Sequence, residues 1–323
     1  MKIREIVTHH NELVNKSQDF RLMKEIHILL SFGKALYSTY GLNCMFVMMQ
    51  ACGGHGFLEG SGLAKVVDLN FPTTIYEGVN QILLVQVGKE LQKSYNLAIK
   101  NQSKAKLLDQ MSYFNEMEKH FNFKADSTKL RDIVTYINIF AKTTLSLCRK
   151  ANLIKKNMSS TINDKDFYDK KVGTIMTEAT LSHGFCITLK FFNDKVSSLP
   201  DSALKRSLSK LGLLAAVFFI DQISSAIFAC DAVETEFFQN TRELHENLLN
   251  EIHPDALVLA EGFGFPEFYL SRFSNLANSD GKIYENLMNY AKQYGTLNKF
   301  DVHPTMLEYI DATKKGTLMD VKL

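Results

Sequence analysis

A carboxylate at position 77 stands between an aromatic residue and a glycine, in the run Ile75-Tyr76-Glu77-Gly78-Val79-Asn80-Gln81. The apolar residues Ile82, Leu83, Leu84, Val85 and Val87 follow directly and read as a helix. Two chemistries suit a glutamate in that place. In the first turn of a helix, its charge complements the positive end of the helix dipole. In an apolar pocket, desolvation disfavours the ionised form and raises the pKa toward the range where a general base works. The residues alone leave both readings open. Upstream, Gly53-Gly54-His55-Gly56 is a glycine cluster. Such a cluster makes a tight turn, and it also lets backbone N–H groups approach a pyrophosphate closely. It is not a Walker loop, because no Lys-Ser/Thr pair follows at the required spacing. Counted from Gly54, the dinucleotide fingerprint finds Glu59 where its third glycine should stand.

Other reactive side chains fail the spacing their chemistry needs. His245 and Glu246 begin a zinc-protease pattern, but Leu249 stands where the second histidine belongs. His9 and His10 read as a solvated helix face. Ser61, in Gly60-Ser61-Gly62, does not satisfy the nucleophile-elbow pattern. The cysteines, at 44, 52, 148, 186 and 230, include no Cys-x-x-Cys pair and read as buried thiols of a reducing compartment. No metal site is expected.

The elements that must position these residues read as helices throughout. Positions 89–172 contain neither glycine nor proline, the strongest breakers of regular structure. Within 130–155, Leu130, Ile133, Ile137, Phe140, Ala141, Leu145 and Cys148 recur at helical spacing. Residues 25–50 repeat that pattern through Ile26, Leu29, Leu30, Phe32, Gly33 and Leu36. Residues 203–230 are apolar enough to predict a helix buried on most faces, with Ser202 as its cap. Glycines at 53, 54, 56, 60, 62 and 78, with Pro72, interrupt this rhythm, and 51–78 is expected to be an ordered loop or functional site. A second irregular patch spans 261–266. The fold class expected is all-α.

Composition agrees. With 37 basic and 35 acidic residues the formal charge is +2, which argues against a polybasic nucleic-acid binder. Hydrophobic residues, 46% of the chain, suffice for a large core. The first residues are polar and charged without the apolar core of a signal peptide, which points to an intracellular protein. The longest apolar run, 211–220, is too short to span a bilayer.

Gln50-Ala51-Cys52-Gly53-Gly54-His55-Gly56-Phe57, followed by the run around Tyr76-Glu77-Gly78, resembles the acyl-CoA dehydrogenase and oxidase superfamily. The glycine-cluster variant is similar to that of the peroxisomal acyl-CoA oxidases. So is the long helical sequence after the glutamate, with residues 280–292, Leu297-Asn298-Lys299 and Val302-His303-Pro304 resembling an oxidase C-terminus.

The resemblance implies a helical bundle of the oxidase C-terminal type made of two packed helical domains, 1–100 and 101–323. The N-terminal helical and β domains of the family would be absent. It implies FAD as cofactor, fatty acyl-CoA as substrate, trans-2-enoyl-CoA and hydrogen peroxide as products, and a homodimer or a partner oxidase subunit. Glu77 would be the base, with Tyr76, Glu77 and Gly78 at the substrate. Gln50, Ala51, Cys52, Gly53 and Gly54 would meet the ADP end of the cofactor, and Val79, Asn80 and Gln81 would touch the flavin. Valine at 79 offers only backbone contact. The resemblance implies a peroxisomal location, and Val321-Lys322-Leu323 matches the Ser-Lys-Leu address at its last two positions only. The alternative is a non-catalytic helical paralogue that dimerises with, or docks on, a full-length oxidase.

Overall fold

Helices account for nearly all the regular structure in the computed structural model, which describes residues 2–17, 23–102, 105, 107–158, 163–266, 270, 274–278, 280–294 and 311. In chain order they are α1 (Lys2–Ser17), α2 (Met23–Ala51), α3 (Gly54–Phe57), α4 (Leu63–Asn70), α5 (Asn80–Lys100), α6 (Met117–Phe121), α7 (Ile133–Asn157), α8 (Asp164–Phe167), α9 (Gly173–Ser197), α10 (Ala203–Gln222), α11 (Ser224–Ala229), α12 (Thr235–Ile252), α13 (Ala256–Glu261) and α14 (Ile283–Tyr294). Among the described residues the extended pairing is limited to one bridge, Ala125 with Val233. The segments at 297–299, 302–304 and 321–323 lie outside the described residues.

The chain forms two compact units, one of Met1–Cys44 and Asp68–Gly264, the other of Met45–Val67 and Phe265–Leu323. In the first, α9 packs on α7, α5 and α10, and α10 packs on α12. The apolar stripes meet in a core that includes Leu29, Phe32, Leu91, Phe140, Leu145, Met176, Ile220, Phe237 and Leu248. Phe185 and Phe219 stack within it at a centroid distance of 4.3 Å. In the second unit, α14 packs on the turn Glu59–Ser61.

Helix ends follow local hydrogen bonding. Asp132 caps α7 by accepting from the Val134 amide at 2.9 Å, and Ser202 caps α10 by accepting from the Lys205 amide at 3.2 Å. The breaker-free stretch 89–172 is nevertheless not one continuous helix. It leaves α5 at Asn101 and Gln102, with Gln102 in the left-handed region at φ 50°, and turns again where Asp126 bonds the Thr128 amide. Asx side chains that bond their own backbone supply the breaks that glycine and proline do not. The expected helix over 203–230 divides at Ile223, and Leu204, Phe218 and Phe228 are exposed, so it is half-buried. Residues 51–78 are not a loop. The glycines separate short helical turns, α3, Glu59–Ser61, α4 and Phe71–Thr74, without preventing them.

The thiols divide by position. Cys148 and Cys186 are buried, and burial raises both, Cys186 to about 12. Cys44 and Cys52 are exposed, contrary to the expectation of five buried thiols, because Cys44 lies on an exposed side of α2 and Cys52 just beyond its end.

Candidate active site

Helix α5 starts at Asn80, with Val79 as an N-cap that offers no side-chain bond. Glu77 therefore precedes the cap by two residues and lies outside the first helical turn. A carboxylate in the first turn of the helix is thus not what the structure shows at position 77. Its backbone is left-handed instead, at φ 58°, followed by Gly78 at φ 101°. A left-handed non-glycine residue costs about 1–3 kcal/mol and persists only where its surroundings over-determine it. A side chain at Gly78 would be strained at that φ, and its Cβ would lie 3.0 Å from Leu83 Cδ2.

The surroundings that hold this turn come from α2. Lys34 Nζ donates to the Gly78 carbonyl at 2.5 Å and to Asn80 Oδ1 at 2.7 Å. The Asn80 amide nitrogen shares its two protons among Ser38 Oγ at 2.8 Å, Thr39 Oγ1 at 2.8 Å and the Ala35 carbonyl at 3.2 Å. Ser38 Oγ donates back to the Lys34 carbonyl at 2.7 Å. Gln81 Nε2 donates to Thr177 Oγ1 of α9 at 2.9 Å. On the other side the turn Phe71–Thr74 leads in, with Pro72 accepting from the Ile75 and Tyr76 amides at 2.9 and 3.0 Å. Burial lowers the Lys34 pKa, and the charge of Glu77 works against that effect. Glu77 is exposed, and its neighbours in sequence, Ile75, Tyr76, Val79 and Ile82, are exposed apolar side chains.

The glycine cluster lies in the second unit. The end of α2 closes with Cys52 N on the Met48 carbonyl at 3.1 Å and Gly53 N on the Gln50 carbonyl at 3.0 Å. Gly53 is left-handed at φ 57°, and a Cβ added at Gly53 or Gly54 would meet nothing within 4 Å. Gly56 is different. A Cβ there would sit 2.1 Å from the Met49 carbonyl oxygen, so this glycine serves the packing of α3 on α2. His55 meets Tyr284 of α14 edge-on at 5.6 Å.

A family model described as acyl-CoA oxidase matches residues 132–315, and one for the C-alpha1 domain of acyl-CoA oxidase matches residues 1–92. The chain belongs to the acyl-CoA oxidase family. It is similar to peroxisomal acyl-coenzyme A oxidase 1 of Bos taurus, at 27% identity over 88% of this chain and 43% of the relative. It is similar to peroxisomal acyl-coenzyme A oxidase 2 of Rattus norvegicus, at 28% identity over 86% of this chain and 41% of the relative. An acyl-CoA oxidase-1 of Caenorhabditis elegans, solved with FAD and ATP, shares its fold with TM-score 0.82 at 22% identity, over 98% of this chain and 46% of that one. Acyl-CoA oxidase 1 of Arabidopsis thaliana gives TM-score 0.83 at 21% identity, over 98% and 47%. This oxidase-family chain thus spans under half the length of these relatives.

Sequence reading of the family chain missed Lys34, Ser38, Thr39 and Thr177. Lys34 carried a usable signal, a lone charge inside the apolar run from Ile26 to Leu36. Ser38, Thr39 and Thr177 carried none, since polar residues on helices mostly face water. Among the described residues no helix is long and apolar enough to cross a membrane, and no group of three or more His, Cys, Asp or Glu side chains is placed to hold a metal.

Proposed function

We propose that this chain is the C-terminal, base-bearing part of a flavin-dependent acyl-CoA oxidase that converts fatty acyl-CoA to trans-2-enoyl-CoA in the peroxisome. The observation that carries this reading is the left-handed Glu77, a strained non-glycine residue in a turn whose next residues, Gly78 and Asn80, are bonded by Lys34, Ser38 and Thr39 of another helix. Strain kept in place by dedicated contacts suits a residue whose position matters to chemistry. Glu77 takes the proton from the α carbon of the acyl group. Tyr76 and Gly78 lie at the substrate, and the Glu77 backbone N–H donates to the thioester carbonyl. That bond draws charge from the α carbon and eases proton removal.

The cofactor is FAD, which when bound accepts hydride from the β carbon and returns electrons to oxygen as hydrogen peroxide. The residues fit it. Gln50, Ala51, Cys52, Gly53 and Gly54 are exposed and Gly53 and Gly54 leave open space where side chains would stand, so a pyrophosphate can approach this stretch closely, while the Cys52 and Gly53 amides stay bonded to the Met48 and Gln50 carbonyls. Val79 and Gln81 are exposed for flavin contact. The side chain of Asn80 is committed to α2, so its part is to hold the turn. The proposed division into domains 1–100 and 101–323 follows the separate family matches at 1–92 and 132–315, whereas the compact units of the structure cut across it, with the glycine cluster in one and Glu77 in the other. A homodimer completes the proposal. The test is peroxide formation from a saturated acyl-CoA by the flavin-loaded enzyme carrying this sequence. Glu77→Gln should abolish nearly all of it, and a variant that turns over normally would refute the assignment.

A further inference from the structure

We propose that Lys34 is the positioning residue of the Glu77 turn, its ammonium holding the strained backbone that presents the carboxylate. The inference rests on the reading of Glu77 as the base. Lys34 reaches from α2 across 44 positions of sequence to the Gly78 carbonyl and Asn80 Oδ1. The two contacts bracket the turn. One fixes the peptide that follows the left-handed pair Glu77 and Gly78, and the other fixes the first residue of α5. Asn80 already ties α5 to α2 through Ala35, Ser38 and Thr39, so the helix pair does not need Lys34 to stay together. What Lys34 adds is a grip on the carbonyl next to Glu77.

A second lysine in the fold acts the same way. Asp231 is another left-handed non-glycine residue, at φ 50°, and its carbonyl accepts from Lys142 Nζ at 2.7 Å. A charged donor on a carbonyl is stronger than a neutral one, which suits a backbone that would otherwise relax. Lys34 is only half-buried, and the charge of Glu77 offsets part of the desolvation it suffers. Lys34 thus lies within electrostatic reach of the carboxylate that it positions.

The test uses hydrogen–deuterium exchange of the full chain, with cleavage after Glu77 by a glutamyl endopeptidase as a second measure. Lys34→Met removes the donor and keeps the length of the side chain. Exchange of the Tyr76, Ile82 and Leu83 amides, which bond the residues flanking the turn, and cleavage after Glu77 should rise about tenfold, the low end for losing one charge-assisted bond at a half-exposed site. The amides of α7 and α9 should keep their protection. Lys34→Arg, which can reach the same two oxygens, should restore wild-type exchange. In the flavin-loaded enzyme, Lys34→Met should lower kcat with little change in KM. If Lys34→Met does not fold, Lys34→Gln carries the same comparison. Unchanged exchange and cleavage at the turn would overturn the proposal, and so would a loss of protection spread evenly over the whole unit. Exchange does not read chemistry, so its failure leaves the base assignment standing. Normal turnover in Glu77→Gln sinks that assignment whatever the exchange shows.

Discussion

His183 sits fully buried on α9, where its imidazole should make folding stability depend on pH. Tyr113 Oη lies 3.0 Å from Nδ1 and Gln110 Oε1 lies 3.5 Å from Nε2. Those partners fit a neutral ring that accepts from the tyrosine and donates to the glutamine. Phe32 covers it edge-on at 5.6 Å. Among the described residues no carboxylate is set against the ring, and burial pushes the pKa down from 6.5 to about 3. The folded-state pKa is depressed, so the unfolded chain takes up a proton first as pH falls. Stability is then full above pH 6.5 and declines from there down to about pH 3. Each pH unit well inside that window costs about 1.4 kcal/mol, so the drop from pH 6.5 to 4.5 is about 2 kcal/mol from this residue alone. The assay is urea unfolding at a series of pH values for wild type and His183→Gln. The variant starts less stable, because it loses core contacts, but its stability should fall less steeply between pH 6.5 and 5, by about one proton's worth. Restricting the window to that range avoids most of the carboxylates, such as Glu90 and Glu251, which their lysine and arginine partners hold below the usual value. His120, which faces Tyr113 edge-on at 5.9 Å and is also lowered by burial, contributes equally to both proteins and cancels. Parallel stability curves for wild type and variant would refute the reasoning.

Three further outcomes follow from the geometry. Gly56→Ala forces a Cβ to within 2.1 Å of the Met49 carbonyl and should destabilise the second unit by about 1–3 kcal/mol, whereas Gly54→Ala enters open space and should unfold like wild type in the same calorimetric comparison. Lys142→Met should cost roughly 1.5–3 kcal/mol in urea unfolding, because Lys142 Nζ holds the carbonyls of Phe123 and Asp231, both at 2.7 Å. In a thiol titration with an aromatic disulfide reagent, Cys44 and Cys52 should react at once in the native protein, while Cys148 and Cys186 react only after unfolding.

The helices were legible because their apolar spacing is unbroken. Ile26, Leu29 and Phe32 on α2 and Ile133, Phe140 and Leu145 on α7 lie where periodicity puts them. Boundaries inside 89–172 were not legible from breakers, because Asn101, Asp126 and Asp132 end or start elements through side-chain bonds that any polar residue could have made with water. The exposure of Cys44 and Cys52 escaped composition, since thiols are buried more often than not. At the candidate site, residue types pointed to Glu77 and the glycines. They did not reveal that Glu77 stands before the helix with a left-handed backbone, which separates a capping carboxylate from a presented one. Lys34 and Thr177 became part of the turn only through tertiary contact, across 44 and 96 positions.

The central claim is that Glu77 removes the α proton, and the rate of anaerobic flavin bleaching by saturating acyl-CoA measures that step without oxygen chemistry. In the flavin-loaded enzyme carrying this sequence, Glu77→Gln keeps the size and polarity of the side chain and leaves the backbone N–H in place. Bleaching should slow by roughly 10²–10⁴-fold, the usual contribution of a positioned general base, while the acyl-CoA concentration giving half the limiting rate stays nearly constant. Bleaching at the wild-type rate in Glu77→Gln would contradict the account.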